Sequence, residues 1–111
     1  MTTIDPNVEP YDRLTPAQAE ERVQSGTAAL IDVREDDEWN AGHAKSARHL
    51  PLNELIAAPQ SLPEGQDLVF ICESGNRSAL AAEYLAAIGR EGLANVEGGT
   101  EAWRAAGRPM A

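Results

Sequence analysis

The run Leu68-Val69-Phe70-Ile71-Cys72 constrains this chain more than any other segment. It has no polar alternation, so it predicts a strand covered on both faces, as in a parallel sheet. Gly75 breaks the run. From Ser78 to Ile88 the pattern becomes helical, with Ala81, Tyr84, Leu85 and Ile88 on one face. Gly89 and Gly92 end that helix. A buried strand, a short loop and an amphipathic helix in succession point to α/β architecture.

The rest of the chain alternates in the same way. Thr15-Pro16-Ala17-Gln18 is a helix start, with a capping threonine, proline at the first helical position and a capping-box glutamine. Ala19 and Val23 face inward, and Gly26 ends the helix. Ala28 to Val33 predicts a buried strand, and Glu35 to Asn40 one or two helical turns closed by Gly42. Ala47 to Leu50 predicts a short strand. Asn53 is the expected cap of a short helix through Ile56, and Pro59 to Gly65 a loop. Leu93 to Val96 predicts another strand. Gly98-Gly99 then forms a turn, and Thr100 caps a last helix that carries Trp103 and ends at Gly107. The fold class is therefore α/β, a mainly parallel sheet with helices on both sides.

A chain of 111 residues fits one domain, with residues 1–10 as a polar lead-in and 11–111 as the folded unit. The formal net charge of −9 repels nucleic acid phosphates and anionic lipid, so neither is an expected partner. Met1 to Pro10 lacks the basic start and apolar core of a signal peptide, and no apolar run is long enough to span a bilayer. A single cysteine excludes a disulfide within the chain. A free thiol without an export signal points to the cytoplasm. No cofactor or metal is expected; His43 and His49 do not form a metal site with one cysteine at these spacings.

Cys72 stands at the C-terminal end of the best strand, where open α/β sheets bind ligands. The loop Cys72-Glu73-Ser74-Gly75-Asn76-Arg77, followed by Ser78, leads into a helix start. Its backbone N–H groups can turn inward as an anion nest, and the helix adds roughly half a positive charge. Gly75 permits the required dihedral. Arg77 adds a charge and Ser78 a hydroxyl. A sulfur in this cradle is stabilised as thiolate, the nucleophilic form, and so is a persulfide anion built on it. The plainer alternative is a cysteine that serves as a small buried hydrophobe. Asp32 and Arg34 are read mainly as a structural ion pair or hydrogen-bond anchor, with positioning of the loop as the functional alternative. His43 and His49 are read as turn residues, and Trp39 and Trp103 as anchors.

On these residues the chain resembles the rhodanese homology family from near Tyr11 to Pro109. Leu30-Ile31-Asp32-Val33-Arg34-Glu35 resembles the first signature, and Glu38-Trp39-Asn40-Ala41-Gly42-His43 its continuation. Cys72-Glu73-Ser74-Gly75-Asn76-Arg77-Ser78 resembles the active loop, and Val96-Glu97-Gly98-Gly99-Thr100-Glu101-Ala102-Trp103 the closing motif. The resemblance implies a five-stranded, mainly parallel sheet and a sulfurtransferase that carries a persulfide on Cys72. Residues 73–78 would then wall the pocket. Implied partners are small sulfur donors and thiol or cyanide acceptors, with a persulfide-donating or persulfide-accepting protein as the alternative. Two departures stand out. Ala44-Lys45-Ser46-Ala47 replaces the family's apolar residue and glycine turn, which predicts weaker packing there. Glu73 is expected to oppose Arg77 and so disfavour thiosulfate. Two rival functions are a non-catalytic binding module and a cysteine-dependent phosphatase. Phosphatase loops place five residues between cysteine and arginine, whereas four lie between Cys72 and Arg77.

Overall fold

A computed structural model describes residues 9–111. Most of the predicted lead-in, residues 1–8, lies outside the described residues. The elements in order are β1 (Asp12–Leu14), α1 (Pro16–Gln24), β2 (Ala28–Asp32), α2 (Asp36–Asn40), β3 (Arg48–His49), α3 (Leu52–Ala57), a 3-10 turn (Pro59–Ser61), β4 (Asp67–Ile71), α4 (Asn76–Ala87), β5 (Leu93–Val96) and α5 (Gly99–Ala105). The five strands form one sheet in the order β1-β5-β4-β2-β3, and every neighbouring pair is parallel. The predicted α/β class and five-stranded parallel sheet are what the structure contains.

Strand periodicity divides the core into two layers. Ala29, Ile31, Leu68, Phe70 and Cys72 face one side, under Leu55 of α3 and Ala81, Ala82 and Leu85 of α4. Ala28, Leu30, Val69 and Ile71 face the other, under Ala19 of α1 and Trp103 of α5. β4 is central, between β2 and β5, which explains a run with no polar residue. Its register pairs Ile71 with Asp32, and the Val33 amide donates to the Ile71 carbonyl at 3.0 Å. This alignment brings the Asp32–Arg34 segment beside Cys72.

Several local expectations change. β1 has no signature in the sequence: Asp12-Arg13-Leu14 has no apolar pattern and is held as an edge strand by main-chain pairing to β5. The capping box at Thr15 forms as read. Pro51, not Asn53, precedes α3, and Pro59–Ser61 is a 3-10 turn within the expected loop. α4 starts at Asn76, two residues before the expected Ser78, because Gly75 takes the cap position with φ of 109°. It ends at Ala87, so Ile88 is 54% exposed rather than facing inward. Gly98 occupies the cap of α5, which frees Thr100 for another task. Ala44 is fully buried and bridges Met110, whose side chain packs on the same core layer. The chain's C-terminal residues thus fill the place where weaker packing was expected.

Candidate active site

The side-chain alternation of β4 continues one residue past the strand. It directs Cys72 to the face that α4 covers. The chain then reverses through Glu73, Ser74 and Gly75 into α4, whose first turn faces the sulfur. The Gly75 amide donates to Sγ at 3.1 Å and the Ser78 hydroxyl at 3.2 Å. Cys72 is only 1% exposed and Ser78 is fully buried. Burial alone would push the thiol pKa up. The Ser78 hydroxyl and the backbone N–H groups of Ser78, Gly75 and Ser74 outweigh it, and the thiol titrates below its ordinary value.

The closing segment fixes this loop from beneath. The Thr100 amide and hydroxyl both donate to the Cys72 carbonyl, at 2.7 and 2.9 Å. The Glu101 amide donates to the Glu73 carbonyl at 3.1 Å, and the Asn95 amide group to the Gly75 carbonyl at 3.0 Å. The peptide that carries the Gly75 N–H, between Ser74 and Gly75, is thus flanked on both sides by peptides whose carbonyls are held. Asn95 and Thr100 are buried polar residues that were not among the predicted site residues. The available signals were a polar residue inside an apolar strand run, Asn95 in Leu93–Val96, and a hydroxyl directly after Gly98-Gly99, Thr100.

Charged side chains form an outer ring, paired differently from the expectation. Arg34, 2% exposed, donates to Asp32 through Nε at 3.1 Å and Nη2 at 3.0 Å, to the Gly42 carbonyl at 2.8 Å, and to Glu73 through Nη1 at 3.0 Å. Glu73 therefore does not oppose Arg77; Arg34 neutralises it. Arg77 instead makes a two-pronged pair with Glu38 at 2.6 and 2.8 Å. Its charge does not reach Sγ as a hydrogen bond. It acts on the sulfur only across space, and a Glu38 carboxylate offsets it. Glu38 was not singled out from the sequence as a partner of Arg77. Ser74 and Asn76 are exposed on the rim.

The histidines serve the neighbouring turn. His43 stacks on Trp39 with ring centroids 3.4 Å apart, and its Nδ1 lies 3.0 Å from the Trp39 carbonyl. His49 stacks on the same indole, and its Nε2 lies 2.7 Å from the Arg34 carbonyl. Both ring nitrogens lie within hydrogen-bond distance of a main-chain carbonyl, as expected for a structural role, although His49 lies in β3 rather than in a turn. Among the described residues, no three His, Cys, Asp or Glu side chains gather as metal ligands, and no helix is long and apolar enough to cross a membrane. A cavity of about 650 Å³ lined by Asp67 and Arg90 lies at the other end of β4. Five residues of strand, roughly 16 Å, separate it from the sulfur.

A parallel α/β sheet with one cysteine at the end of its central strand, cradled by the first turn of the following helix, defines a cysteine-loop site. Residues 15–106 match the rhodanese-like domain, and the chain belongs to that family. It is 39% identical over 96 residues to slr1261, an uncharacterised protein of Synechocystis; these are 86% of this chain and 54% of that protein, so the chain spans about half of its relative's length. Among solved structures, a rhodanese-related protein of Thermoplasma volcanium is 31% identical with a TM-score of 0.82, over 91% of this chain and 98% of the other. A Rhodopseudomonas palustris protein of unknown function, described as a possible tyrosine phosphatase, is 26% identical with a TM-score of 0.81, over 100% and 99%. The thiosulfate sulfurtransferase of Pseudomonas aeruginosa shares the fold at 20% identity and a TM-score of 0.78, over 91% of this chain and 20% of that enzyme.

Proposed function

We propose that this chain is a sulfurtransferase that carries sulfane sulfur as a persulfide on Cys72. The observation that carries the reading is the convergence of the Gly75 amide and Ser78 hydroxyl on a nearly buried sulfur, at 3.1 and 3.2 Å. A cysteine serving only as a hydrophobe has no use for two polar donors aimed at it.

The chemistry balances without an oxidant. The Cys72 thiolate attacks the outer sulfur of a donor. The bond that held this sulfur breaks and its electron pair leaves with the remainder: the S–S bond and sulfite in the case of thiosulfate, the C–S bond and the enolate of pyruvate in the case of mercaptopyruvate. Cys72-S-S⁻ results, its charge facing the loop N–H groups. A thiolate or cyanide acceptor then attacks the outer sulfur, and Cys72 departs again as thiolate. Turnover is ping-pong through a covalent intermediate. The loop donors lower the thiol pKa and so favour the thiolate, the form that attacks. Residues 73–78 wall the site, and Asp32 and Arg34 position it by fixing Glu73. Donors are small sulfur compounds or a persulfidated protein, acceptors are thiols or cyanide, and the place of action is a reducing cytoplasm, where a lone thiol stays free.

Phosphate-ester hydrolysis, suggested as possible for the R. palustris neighbour, fits less well. The four-residue spacing between Cys72 and Arg77 makes a smaller cradle, and Arg77 is engaged by Glu38 rather than free for a phosphate.

Intact mass spectrometry after incubation with thiosulfate, mercaptopyruvate or a persulfidated desulfurase tests the proposal. A gain of one sulfur, about 32 Da, is expected from at least one donor, with its loss on adding cyanide and its absence in Cys72→Ala. No gain from any of the three, in protein whose Cys72 still alkylates, would refute it.

A further inference from the structure

We infer that Glu38 is a specificity-determining residue, which sequesters Arg77 and so turns Cys72 away from dianionic donors toward neutral or singly charged persulfides. The inference rests on the sulfurtransferase reading for the word donor, but the geometry behind it stands alone. Arg77 is the loop's only basic side chain, and both prongs of its guanidinium bond the Glu38 carboxylate, at 2.6 and 2.8 Å. The pair is about two-thirds covered, with the two side chains 35% and 28% exposed, so water screens it only in part. Glu38 is also held within its own helix, because Oε1, which takes one prong of Arg77, accepts the Glu35 amide at 3.2 Å in the capping box of α2.

The other charges near the loop give an anion no compensation. Arg34 is spent on Asp32 and Glu73. Arg34 and Arg77 are opposed by Asp32, Glu73 and Glu38, so this ring carries one more negative charge than positive. Arg77 holds the Glu38 carboxyl at about 2, so Glu38 stays ionised at any working pH. What remains attractive to an incoming sulfur is the set of short-range N–H and O–H donors. These suit a terminal sulfur of low charge and do not reach out to a dianion.

The test compares alkylation of Cys72 by iodoacetate, an anion, with iodoacetamide, its neutral counterpart. The ratio cancels changes in thiolate fraction and needs no turnover. Glu38→Gln keeps an oxygen for the Glu35 amide but loses the charge. It should raise the iodoacetate-to-iodoacetamide ratio by about threefold or more at low salt, and less at high salt. Glu38→Asp keeps the charge but shortens the reach, so it should give an intermediate rise, which a net-charge effect alone would not. Thiosulfate loading, read by intact mass, should rise in parallel with the ratio. An unchanged or lowered ratio in either folded variant would overturn the assignment. If the ratio rises and no donor loads Cys72, the electrostatic role of Glu38 stands and the sulfurtransferase reading falls.

Discussion

Gly99→Ala is expected to destabilise the protein by about 3 kcal/mol or more and to release the sulfur from its donors. Gly99 has φ of 60°, and a Cβ built on it would lie 2.5 Å from the Cys72 carbonyl oxygen and 2.6 Å from the carbonyl carbon and oxygen of Glu73. Those atoms are backbone on both sides, so neither can swing aside as a flexible side chain would. A left-handed dihedral on a residue with a side chain costs about 1 kcal/mol or more. Relieving the overlap must then lift the loop off α5, which breaks the two Thr100 bonds to the Cys72 carbonyl, each worth about 1 kcal/mol. Urea unfolding measures the first effect. The second appears as an upward move of the Cys72 titration. A variant with an unchanged urea midpoint and an unchanged thiol titration would show that the close approach of α5 does not set the loop.

Arg34→Leu is expected to cost still more, about 3–5 kcal/mol, the usual cost of removing one partner from a buried ion pair. Asp32 is fully buried, and in the variant its carboxylate loses the guanidinium on both oxygens. The Gly42 carbonyl and Glu73 lose a donor at the same time. A double variant, Asp32→Leu with Arg34→Leu, should recover much of the loss, because it leaves no isolated charge. Denaturant midpoints of the three proteins check this. A single variant within 1 kcal/mol of the parent would contradict a structural role for the pair.

The legible parts of the fold and site are those encoded locally. The polarity-free run into Cys72, the glycine at 75 and the helical pattern from Ser78 lie in one contiguous segment. They placed the sulfur at a strand end beside a helix start without reference to the rest of the chain. Thr15 to Gln18 was equally readable, since a capping box joins residues three apart. What stayed hidden depends on topology. Asp12-Arg13-Leu14 becomes a strand only because β5 offers a free edge. Glu38 and Arg77 lie 39 residues apart and meet because the parallel register brings the ends of β2 and β4 together. The same distance separates Arg34 from Glu73, and no local rule could choose between pairing Glu73 with Arg34 or setting it against Arg77. Thr100 looked like a helix cap by its residue type. Its hydroxyl instead binds a carbonyl 28 residues earlier, because α5 starts at Gly99 and packs its first turn under the loop.

Central to all of this is a thiolate stabilised by short hydrogen bonds rather than by a bonded cation. The rate of Cys72 alkylation by iodoacetamide, followed against pH, tests it most directly. Only the thiolate reacts, so the rate falls as pH drops through the folded pKa and levels off above it. The account predicts a midpoint below that of an ordinary free thiol, moved upward in Ser78→Ala. A wild-type midpoint at or above the ordinary value, or one that Ser78→Ala leaves in place, would contradict it.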